Sequence, residues 1–590
     1  MRLWHATGWL LLCVLATLLV PAAARADGPA DNKPESVRRV PPLGIDPTPE
    51  QRAHLEERIA QLDAQLEKLA AKPGVEDVRV IRRAVWSALV YQEFFNEADL
   101  KTADQLLDLA DQRARRLGAG DVNWVDSPGL TALGFTSRID GSVQPYGLVI
   151  PAGYKPGSGR RYRLDVWFHG RGETVSELRF IDQRLRQVGQ YAPADTIVLH
   201  PYGRYSNAFK FAGEIDVLEA IADVARRYSI DEDRISVRGF SMGGAGCWQM
   251  AVHYADRWFA ANPGAGFSET PDFLRVFQKE TLNPAWYEEK LWRWYDCPEY
   301  AINLFQCPTI AYSGEIDIQK QAADIMEAAL AREGIDLVHV IGPQTAHKIH
   351  ADAAARITRD MDALAETGRD RFPRELHLRT CTLKYNRMHW LTIDGLTQHW
   401  EPARVAAAVQ GDTAIAVEVE NVDAFSLHFP PGRAPLNPLK SPRLLINRRE
   451  AGIIKPLSDR SLSVRAVRVG ETWQLNPSPA KGATPLAKRH DLQGPIDDAF
   501  MDSFLIVRPT GKPQHAAVGA WCNAEMQHAV DHWRLQFRGE ARVKNDVDVT
   551  QRDIADANLV LFGDPQSNAV LAKINTVLPI AWDASAVVVG

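Results

Sequence analysis

Cysteine is scarce in this sequence, which has six cysteines among its 590 residues. No two of them have the C-x-x-C spacing, which excludes the zinc and redox motifs that depend on it. Cleavage of an N-terminal segment that contains Cys13 would leave five, and an odd number makes a poor disulfide framework. Cys297 and Cys307 are close enough in sequence to form one bridge in an oxidising compartment; alternatively, both are buried free thiols.

An excess of charge of one sign is also lacking, because a formal net charge of -6 is small for 590 residues. The sequence therefore has no electrostatic footprint for nucleic acid or for an anionic membrane surface. We expect no nucleic-acid partner and a small-molecule or polymer substrate. The chain is also longer than one hydrophobic core can organise, so several domains are expected.

Long apolar runs are missing except at the N-terminus. There, Arg2 precedes an apolar run at residues 9–20, and Ala24-Arg25-Ala26 follows at the spacing of a cleavage site. This pattern predicts a secretory signal peptide over residues 1–26. A retained membrane anchor is the alternative, although a span needs about 20 apolar residues. We expect a periplasmic or secreted protein with no membrane span after cleavage.

The next two segments differ in composition. Residues 27–46 are rich in proline, glycine and charge, which predicts a disordered leader. Residues 47–120 show helical periodicity and predict a helical unit. One apolar face of that unit is formed by Leu55, Ile59, Leu62, Leu66 and Leu69.

Residues 121–366 alternate between strand and helix patterns, which predicts an α/β domain with a mostly parallel sheet covered on both faces. An amphipathic helix is predicted at residues 215–228. The predicted strands are residues 146–150, 164–168, 195–199, 234–239, 308–312 and 337–341.

The last third of the chain predicts two further units. Residues 374–476 contain short strand-like segments without a long helix, which indicates a small β-sandwich, and Asp394-Gly395 predicts a tight turn there. Residues 477–485 have a linker composition. Residues 496–590 predict a second small α/β unit. Because it stops in an apolar strand at residues 586–590, we expect this unit to be truncated.

The chemistry is carried first by Gly239-Phe240-Ser241-Met242-Gly243-Gly244, which lies between a predicted strand and a predicted helix. A G-x-S-x-G pentad in this context is a nucleophile elbow, a strained turn that lifts the serine hydroxyl to the top of the sheet. Glycines are needed there because a β-carbon would collide. The Met242 N–H lies at the positive end of the following helix, where it can stabilise an oxyanion.

A serine nucleophile needs a base and a group that orients the base. Where a nucleophile elbow lies on a sheet of this kind, the three catalytic residues follow along the chain in the order serine, acid, histidine. Asp317 follows the strand at residues 308–312 and is the predicted acid, with Glu315 as the alternative. His347 follows the strand at residues 337–341 and is the predicted base, with His350 as the alternative.

The second oxyanion donor is expected from the loop His169-Gly170-Arg171-Gly172, which follows the strand at residues 164–168. Glycines in such a loop let backbone N–H groups approach an oxyanion closely. The predicted donor is the Arg171 N–H, and Gly170 is the next candidate.

Aromatic residues near the same rim are candidates for a substrate pocket. Tyr202 follows the strand at residues 195–199, and Trp292 and Trp294 belong to an aromatic insertion between the elbow helix and the acid strand. Aromatic faces can wall a pocket for an aryl group or a sugar ring. The alternative is that these residues form the core of a cap.

The sequence from residue 146 to residue 357 resembles secreted bacterial α/β-hydrolases of the esterase D, polyhydroxybutyrate depolymerase and feruloyl esterase kind. It also resembles the catalytic domain of prolyl oligopeptidase-type (peptidase S9) serine peptidases. The resemblance is carried by HGRG at 169–172, GFSMGG at 239–244, GEID at 314–317 and AHK at 346–348. It implies a Ser241–Asp317–His347 triad, no metal and no cofactor.

The resemblance covers well under half of the chain. Prolyl oligopeptidases carry an N-terminal β-propeller, whereas the N-terminal region here is helical without a blade repeat. Three functions therefore follow from the sequence: a carboxylic ester hydrolase, a serine peptidase with the same triad, and a binding protein on a hydrolase scaffold. The ester hydrolase is the prediction, since the Ser-Met-Gly-Gly tetrad is esterase-like and every triad residue is present in order.

Overall fold

The computed structural model describes residues 39–478, 487–583 and 585–589. The predicted signal peptide, residues 27–38 of the predicted leader and residues 479–486, which include most of the predicted linker, lie outside the described residues. Within the described ranges, no helix combines the length and the apolar character that a membrane crossing requires.

The N-terminal unit is helical, and polar side chains cap its first and third long helices. Thr48 and Gln51 form a capping box at the first, and Asn96 and Asp99 form one at the third. The predicted apolar face of the first helix is buried. The helices are α1 Pro49–Leu69, α2 Glu76–Val90, α3 Glu97–Gly118 and the short α4 Asn123–Asp126.

The central domain is built on an eight-stranded sheet with the order β1-β2-β4-β3-β5-β6-β7-β8. The first two strands are antiparallel, and the other six are parallel to one another. The strands are β1 Gly129–Thr136, β2 Val143–Ile150, β3 Tyr162–Phe168, β4 Thr196–Pro201, β5 Ile230–Phe240, β6 Ala260–Gly264, β7 Ile310–Gly314 and β8 Val338–Gly342.

Helices connect the parallel strands, so the carboxyl ends of these strands all meet at one rim of the sheet. A long insertion lies between β6 and β7 and contains one short α-helix and a 3-10 helix at Cys297–Gln306. The α-helices of the domain are α5 Glu177–Arg186, α6 Ala212–Arg227, α7 Met242–His253, α8 Trp286–Trp292, α9 Gln321–Arg332 and α10 Ala351–Thr367.

Two five-stranded sheets follow, with the orders β10-β11-β14-β17-β18 and β16-β15-β13-β12-β9. Asp394-Gly395 lies inside β11, where the register with β14 shifts, so the predicted tight turn is wrong. A glycine within a strand can mark a bulge instead of a turn. The strands are β9 Glu375–Thr380, β10 Arg387–Met388, β11 Leu391–Leu396, β12 Ala403–Gln410, β13 Ala414–Glu420, β14 Val422–Phe429, β15 Arg443–Ile446, β16 Arg449–Ile453, β17 Leu462–Val469 and β18 Thr472–Leu475.

The C-terminal unit has a three-stranded parallel sheet, β20-β19-β21, and a separate antiparallel pair, β22 and β23. Its long helix joins the rest of the molecule through buried ion pairs of Arg534 with Glu177 and of Arg538 with Glu93. The elements are β19 Phe504–Arg508, α11 Ala516–Phe537, β20 Val543–Asn545, α12 Gln551–Asp556, β21 Asn558–Leu561, α13 Ala569–Ile574, β22 Ile580–Trp582 and β23 Val587–Val589.

Cys297 and Cys307 are both buried free thiols, so the bridged alternative is wrong. Burial raises the pKa of Cys307 to about 12, which keeps this thiol protonated and unreactive at neutral pH.

Candidate active site

Ser241 lies between the last residue of β5, Phe240, and the first residue of α7, Met242. Its backbone has φ 62° and ψ −126°, a conformation that L-residues rarely adopt. The Ser241 N–H donates to the carbonyl oxygen of Gly264 at the end of β6, at 2.9 Å. The turn is therefore strained and is held by the neighbouring strand, as expected for a nucleophile elbow.

The glycines on either side of Ser241 are required by close backbone contacts. A β-carbon added to Gly243 would lie 2.1 Å from the carbonyl oxygen of Phe168, and one added to Gly239 would lie 2.2 Å from that of Gly243. A side chain at Gly243 would push against the end of β3, and one at Gly239 would push against the first turn of α7. The G-x-S-x-G spacing thus follows from the packing of the turn.

Asp317 and His347 meet on the same rim, from the loops after β7 and β8. His347 Nδ1 lies 2.8 Å from Asp317 Oδ2. The Asp317 side chain is almost completely buried, and its Oδ1 accepts a hydrogen bond from the Gln319 N–H at 2.9 Å. The His347 ring lies 4.7 Å from the ring of Phe240, the residue before Ser241. The carboxylate is therefore fixed and can orient the imidazole beside the elbow.

The alternative acid and base have other partners. The exposed Glu315 carboxylate accepts hydrogen bonds from the backbone N–H and the side-chain amide of Gln344, at 2.7 and 3.0 Å. The His350 backbone N–H donates to the Tyr312 hydroxyl at 2.8 Å. In the part of the chain that the structure describes, no hydrogen bond joins Ser241 Oγ to His347. Such bonds often tighten only when substrate is bound.

The loop after β3 approaches Ser241 from the other side. A β-carbon added to Gly170 would lie 3.9 Å from the Ser241 β-carbon, so this backbone passes beside the Ser241 side chain. The Arg171 side chain points into solvent and pairs with Glu173 at 3.0 Å. The Met242 N–H belongs to the first turn of α7. The start of α7 and the Gly170 backbone thus both adjoin Ser241.

Two residues without a predicted role of their own position these loops. His169 Nδ1 lies 2.8 Å from the Gly170 carbonyl oxygen, and its Nε2 lies 2.9 Å from that of Tyr202. Gln319 accepts a hydrogen bond from the Gly266 N–H at 2.8 Å while its own N–H donates to Asp317. The first position of the H-G-x-G motif is the signal that could have identified His169. Nothing in the sequence pattern identifies Gln319.

Two of the three predicted pocket aromatics require correction. Tyr202 is completely buried, and its hydroxyl donates to the Val175 carbonyl oxygen at 2.9 Å. Trp294 is 3% exposed, and its indole N–H donates to the Tyr385 hydroxyl at 3.0 Å. Neither ring has a free face for a substrate. Trp292 is half-buried, whereas Trp286 at the start of α8 is 73% exposed.

Trp286 and Trp294, both in the insertion between β6 and β7, should therefore respond differently to replacement by alanine. We expect Trp294→Ala to lower the free energy of unfolding by about 3–5 kcal/mol, because it leaves a cavity in the core. Trp286→Ala, the matched control, should change it by less than about 0.5 kcal/mol. Urea unfolding of both variants measures the difference. Equal values would contradict the assignment of Trp294 to the core.

A possible cation site lies elsewhere, on α9 and β8. Single ligand atoms of Asp324, Glu327 and His339 all lie within 4.8 Å of one another. Asp324 already pairs with Lys320, and both carboxylates are exposed. His339 Nε2 also lies 3.0 Å from Ser313 Oγ on β7.

A nucleophile elbow on a mostly parallel sheet, with an Asp–His pair on the same rim, defines an α/β-hydrolase domain of the serine-hydrolase class. Residues 210–365 match the family model described as the prolyl oligopeptidase family, peptidase S9. The matched segment contains Ser241, Asp317 and His347. The predicted fold class, an α/β-hydrolase with an additional sandwich, is confirmed.

Three solved structures are similar to part of this chain. The first is a Bacteroides ovatus protein described as a dipeptidyl aminopeptidase IV, and the second is the Staphylococcus aureus fluorophosphonate-binding serine hydrolase FphF. The third is a puromycin-hydrolyzing peptidase of Mycobacterium tuberculosis. Their identities are 13%, 16% and 17%, and their TM-scores are 0.32, 0.31 and 0.31. The matches cover 41%, 40% and 40% of this chain and 36%, 99% and 39% of the respective structures. The chain thus spans less than two-fifths of the length of the first and third of these structures. No curated protein sequence matches this chain.

Proposed function

We propose that this protein hydrolyses carboxylic esters through an acyl-enzyme on Ser241. The observation that carries the proposal is the 2.8 Å contact between His347 and the buried Asp317, on the rim where the strained elbow presents Ser241. Buried Asp317 holds the imidazole in one orientation. His347 Nε2 is then the free ring nitrogen that can accept the serine proton.

In the proposed reaction, Ser241 Oγ attacks the ester carbonyl carbon and His347 takes the hydroxyl proton. The oxyanion accepts hydrogen bonds from the Met242 N–H and from the Gly170–Arg171 backbone. Collapse of the tetrahedral intermediate breaks the ester C–O bond, and His347 gives its proton to the departing alcohol. Water then attacks the acyl-enzyme by the same route and releases the acid and free Ser241.

Two observations bear on the choice between ester and peptide. Residues 49–118 form three helices in the place where prolyl oligopeptidases carry a β-propeller, which favours an esterase. The match of residues 210–365 to the prolyl oligopeptidase family keeps a serine peptidase as the second candidate. The predicted signal peptide supports an action in the periplasm or outside the cell.

The test compares p-nitrophenyl acetate with a Gly-Pro p-nitroanilide. We expect turnover of the ester and none of the anilide, because an amine leaving group must be protonated within a site built for it. A peptidase with this triad would hydrolyse both. Anilide turnover within about tenfold of ester turnover would favour the peptidase, and that ratio corresponds to about 1.4 kcal/mol in transition-state stabilisation. Labelling of Ser241 by a fluorophosphonate probe checks that the enzyme is active.

A further inference from the structure

Lys210 lies in the loop between β4 and α6, on the rim that carries Ser241. Its ammonium nitrogen is 5.1 Å from the ring centroid of Tyr295 and 5.5 Å from that of Phe267. Across residues 39–478, 487–583 and 585–589, no carboxylate oxygen comes within 4.0 Å of this nitrogen, and no acceptor forms a hydrogen bond with it. The three N–H donors of a largely buried lysine are therefore unused by the protein.

Two other lysines that are at least partly buried have carboxylate partners. The buried Lys384 lies 3.3 Å from Asp498, and the half-buried Lys544 lies 2.8 Å from Asp553. A buried ammonium without such a partner is energetically costly. The two aromatic faces offset part of this cost through cation–π contacts.

Asp296 is the acid whose charge acts most on Lys210, but its carboxylate is engaged elsewhere. Its Oδ1 accepts hydrogen bonds from the N–H and the hydroxyl of Thr270, at 2.9 and 2.7 Å. Burial raises the pKa of Asp296 to about 7, so this group is only partly ionised at neutral pH. Burial also lowers the pKa of Lys210, and Asp296 offsets part of that shift. An anion that entered the site would stabilise the ammonium further.

Lys210 lies between the two loops that flank the nucleophile. On one side, Phe267 follows Gly266, and a β-carbon added to Gly266 would lie 2.5 Å from the Ser241 carbonyl oxygen. On the other side, the ring of Phe209 lies 5.1 Å from that of His169 in the Gly170 loop. Phe209 also contacts α7 at Gly246, one turn after the elbow. The Phe267 ring that lies under the ammonium thus belongs to the loop that packs against the Ser241 backbone.

We propose that Lys210 binds a carboxylate of the substrate, so that the preferred ester carries a free carboxylate as well as the ester bond. This inference rests on the proposed hydrolase function. The ammonium supplies charge-assisted hydrogen bonds, and the rings of Phe267 and Tyr295 contact the apolar atoms between the two groups. The carboxylate belongs either to the acyl part or to the alcohol part of the ester.

The test uses two matched pairs of esters. Ethyl hydrogen succinate and ethyl butyrate differ by a carboxylate on the acyl side, and 4-acetoxybenzoate and p-tolyl acetate differ by one on the leaving-group side. For each pair the measured quantity is the ratio of kcat/KM for the charged ester to kcat/KM for the neutral one. Because every variant is measured with the same two esters, the difference in intrinsic reactivity between the esters cancels when this ratio is compared between variants.

We expect Lys210→Met to lower this ratio by about 10- to 100-fold in one of the two pairs, mainly through KM, as for the loss of a charge-assisted hydrogen bond. Lys210→Arg should keep most of the ratio because it keeps the charge. Lys290→Met is the control, since Lys290 on α8 is paired with Glu401 at 2.8 Å. An unchanged ratio in both pairs for Lys210→Met would overturn the proposal.

A binding measurement separates failure of this inference from failure of the proposed function. Calorimetric titration of Ser241→Ala with ethyl hydrogen succinate and with 4-acetoxybenzoate needs no turnover. One of the two should bind at least about tenfold more weakly when Lys210→Met is added, which would support Lys210 even in a chain that hydrolyses nothing. Equal binding with and without Lys210→Met would overturn the role of Lys210. Failure of the fluorophosphonate to label Ser241 in the unmodified chain would overturn the hydrolase function alone.

Discussion

Ser241→Ala is expected to lower kcat for p-nitrophenyl acetate by about 10⁵- to 10⁶-fold, the size of effect seen when a serine nucleophile is removed from a triad. The reason is that the acyl-enzyme cannot form without the hydroxyl oxygen. The remaining oxyanion donors would still give a small rate above background. Steady-state kinetics measures the loss, and circular dichroism reports whether the fold is kept.

The fold should persist because no side-chain hydrogen bond from Ser241 supports it within the described residues, and alanine keeps the same backbone turn. Ser236→Ala on the same strand is the matched control. The Ser236 hydroxyl donates to Asp165 at 2.8 Å, so its loss should lower stability by about 1 kcal/mol and leave turnover near normal. Near-normal turnover in Ser241→Ala would refute the proposed mechanism.

The six strands predicted in residues 121–366 all overlap strands of the central sheet. Five of them overlap its parallel strands, which are typically apolar runs because such strands are buried on both faces. β1 and β6 were not predicted, and the sequence of β6, Ala-Ala-Asn-Pro-Gly, contains no long apolar run. This strand lies close to α7: a β-carbon added to Gly244 of α7 would lie 2.2 Å from the carbonyl oxygen of Gly264. Sequence patterns report apolar surface and do not report this kind of close approach.

In the candidate site, too, some residues were predicted from motifs, whereas the environment of others depends on tertiary packing. The G-x-S-x-G motif and the order of acid and histidine pointed to Ser241, Asp317 and His347, which the structure brings to one rim, although their catalytic roles remain predictions. Trp294 could not be distinguished from a pocket residue, because its burial depends on contact with Tyr385, 91 residues away. The unpaired ammonium of Lys210 is likewise a result of tertiary packing.

Contacts between segments that are far apart in the sequence are the features that sequence patterns predict least. Arg534 of α11 pairs with Glu177 of α5, 357 positions earlier in the chain, and both side chains are buried. Each residue alone has the pattern of a solvent-exposed charge on a helix. The docking of the C-terminal unit on the central domain therefore has no local signal in the sequence.

The second large effect is expected at the acid. Asp317→Asn should lower kcat for p-nitrophenyl acetate by about 10⁴-fold, as for an aspartate-to-asparagine change in a serine triad. An amide in place of the carboxylate can donate to His347 Nδ1, which stabilises the tautomer with its proton on Nε2. That ring nitrogen then can no longer accept the proton of Ser241. The buried amide would also fail to stabilise the imidazolium that forms as the proton moves.

Glu315→Gln is the control that makes this prediction specific. It changes a carboxylate on the same loop that contacts Gln344 and not His347, and Glu315 is exposed, so kcat should stay within about threefold of the unmodified value. A further observable is reactivity toward the fluorophosphonate probe. It should fall in parallel with kcat in Asp317→Asn, because both reactions need the serine proton to leave through His347. A large loss of kcat in Glu315→Gln, with little loss in Asp317→Asn, would instead assign Glu315 as the residue that orients the base. In that case the Asp317–His347 contact would have to be replaced during turnover.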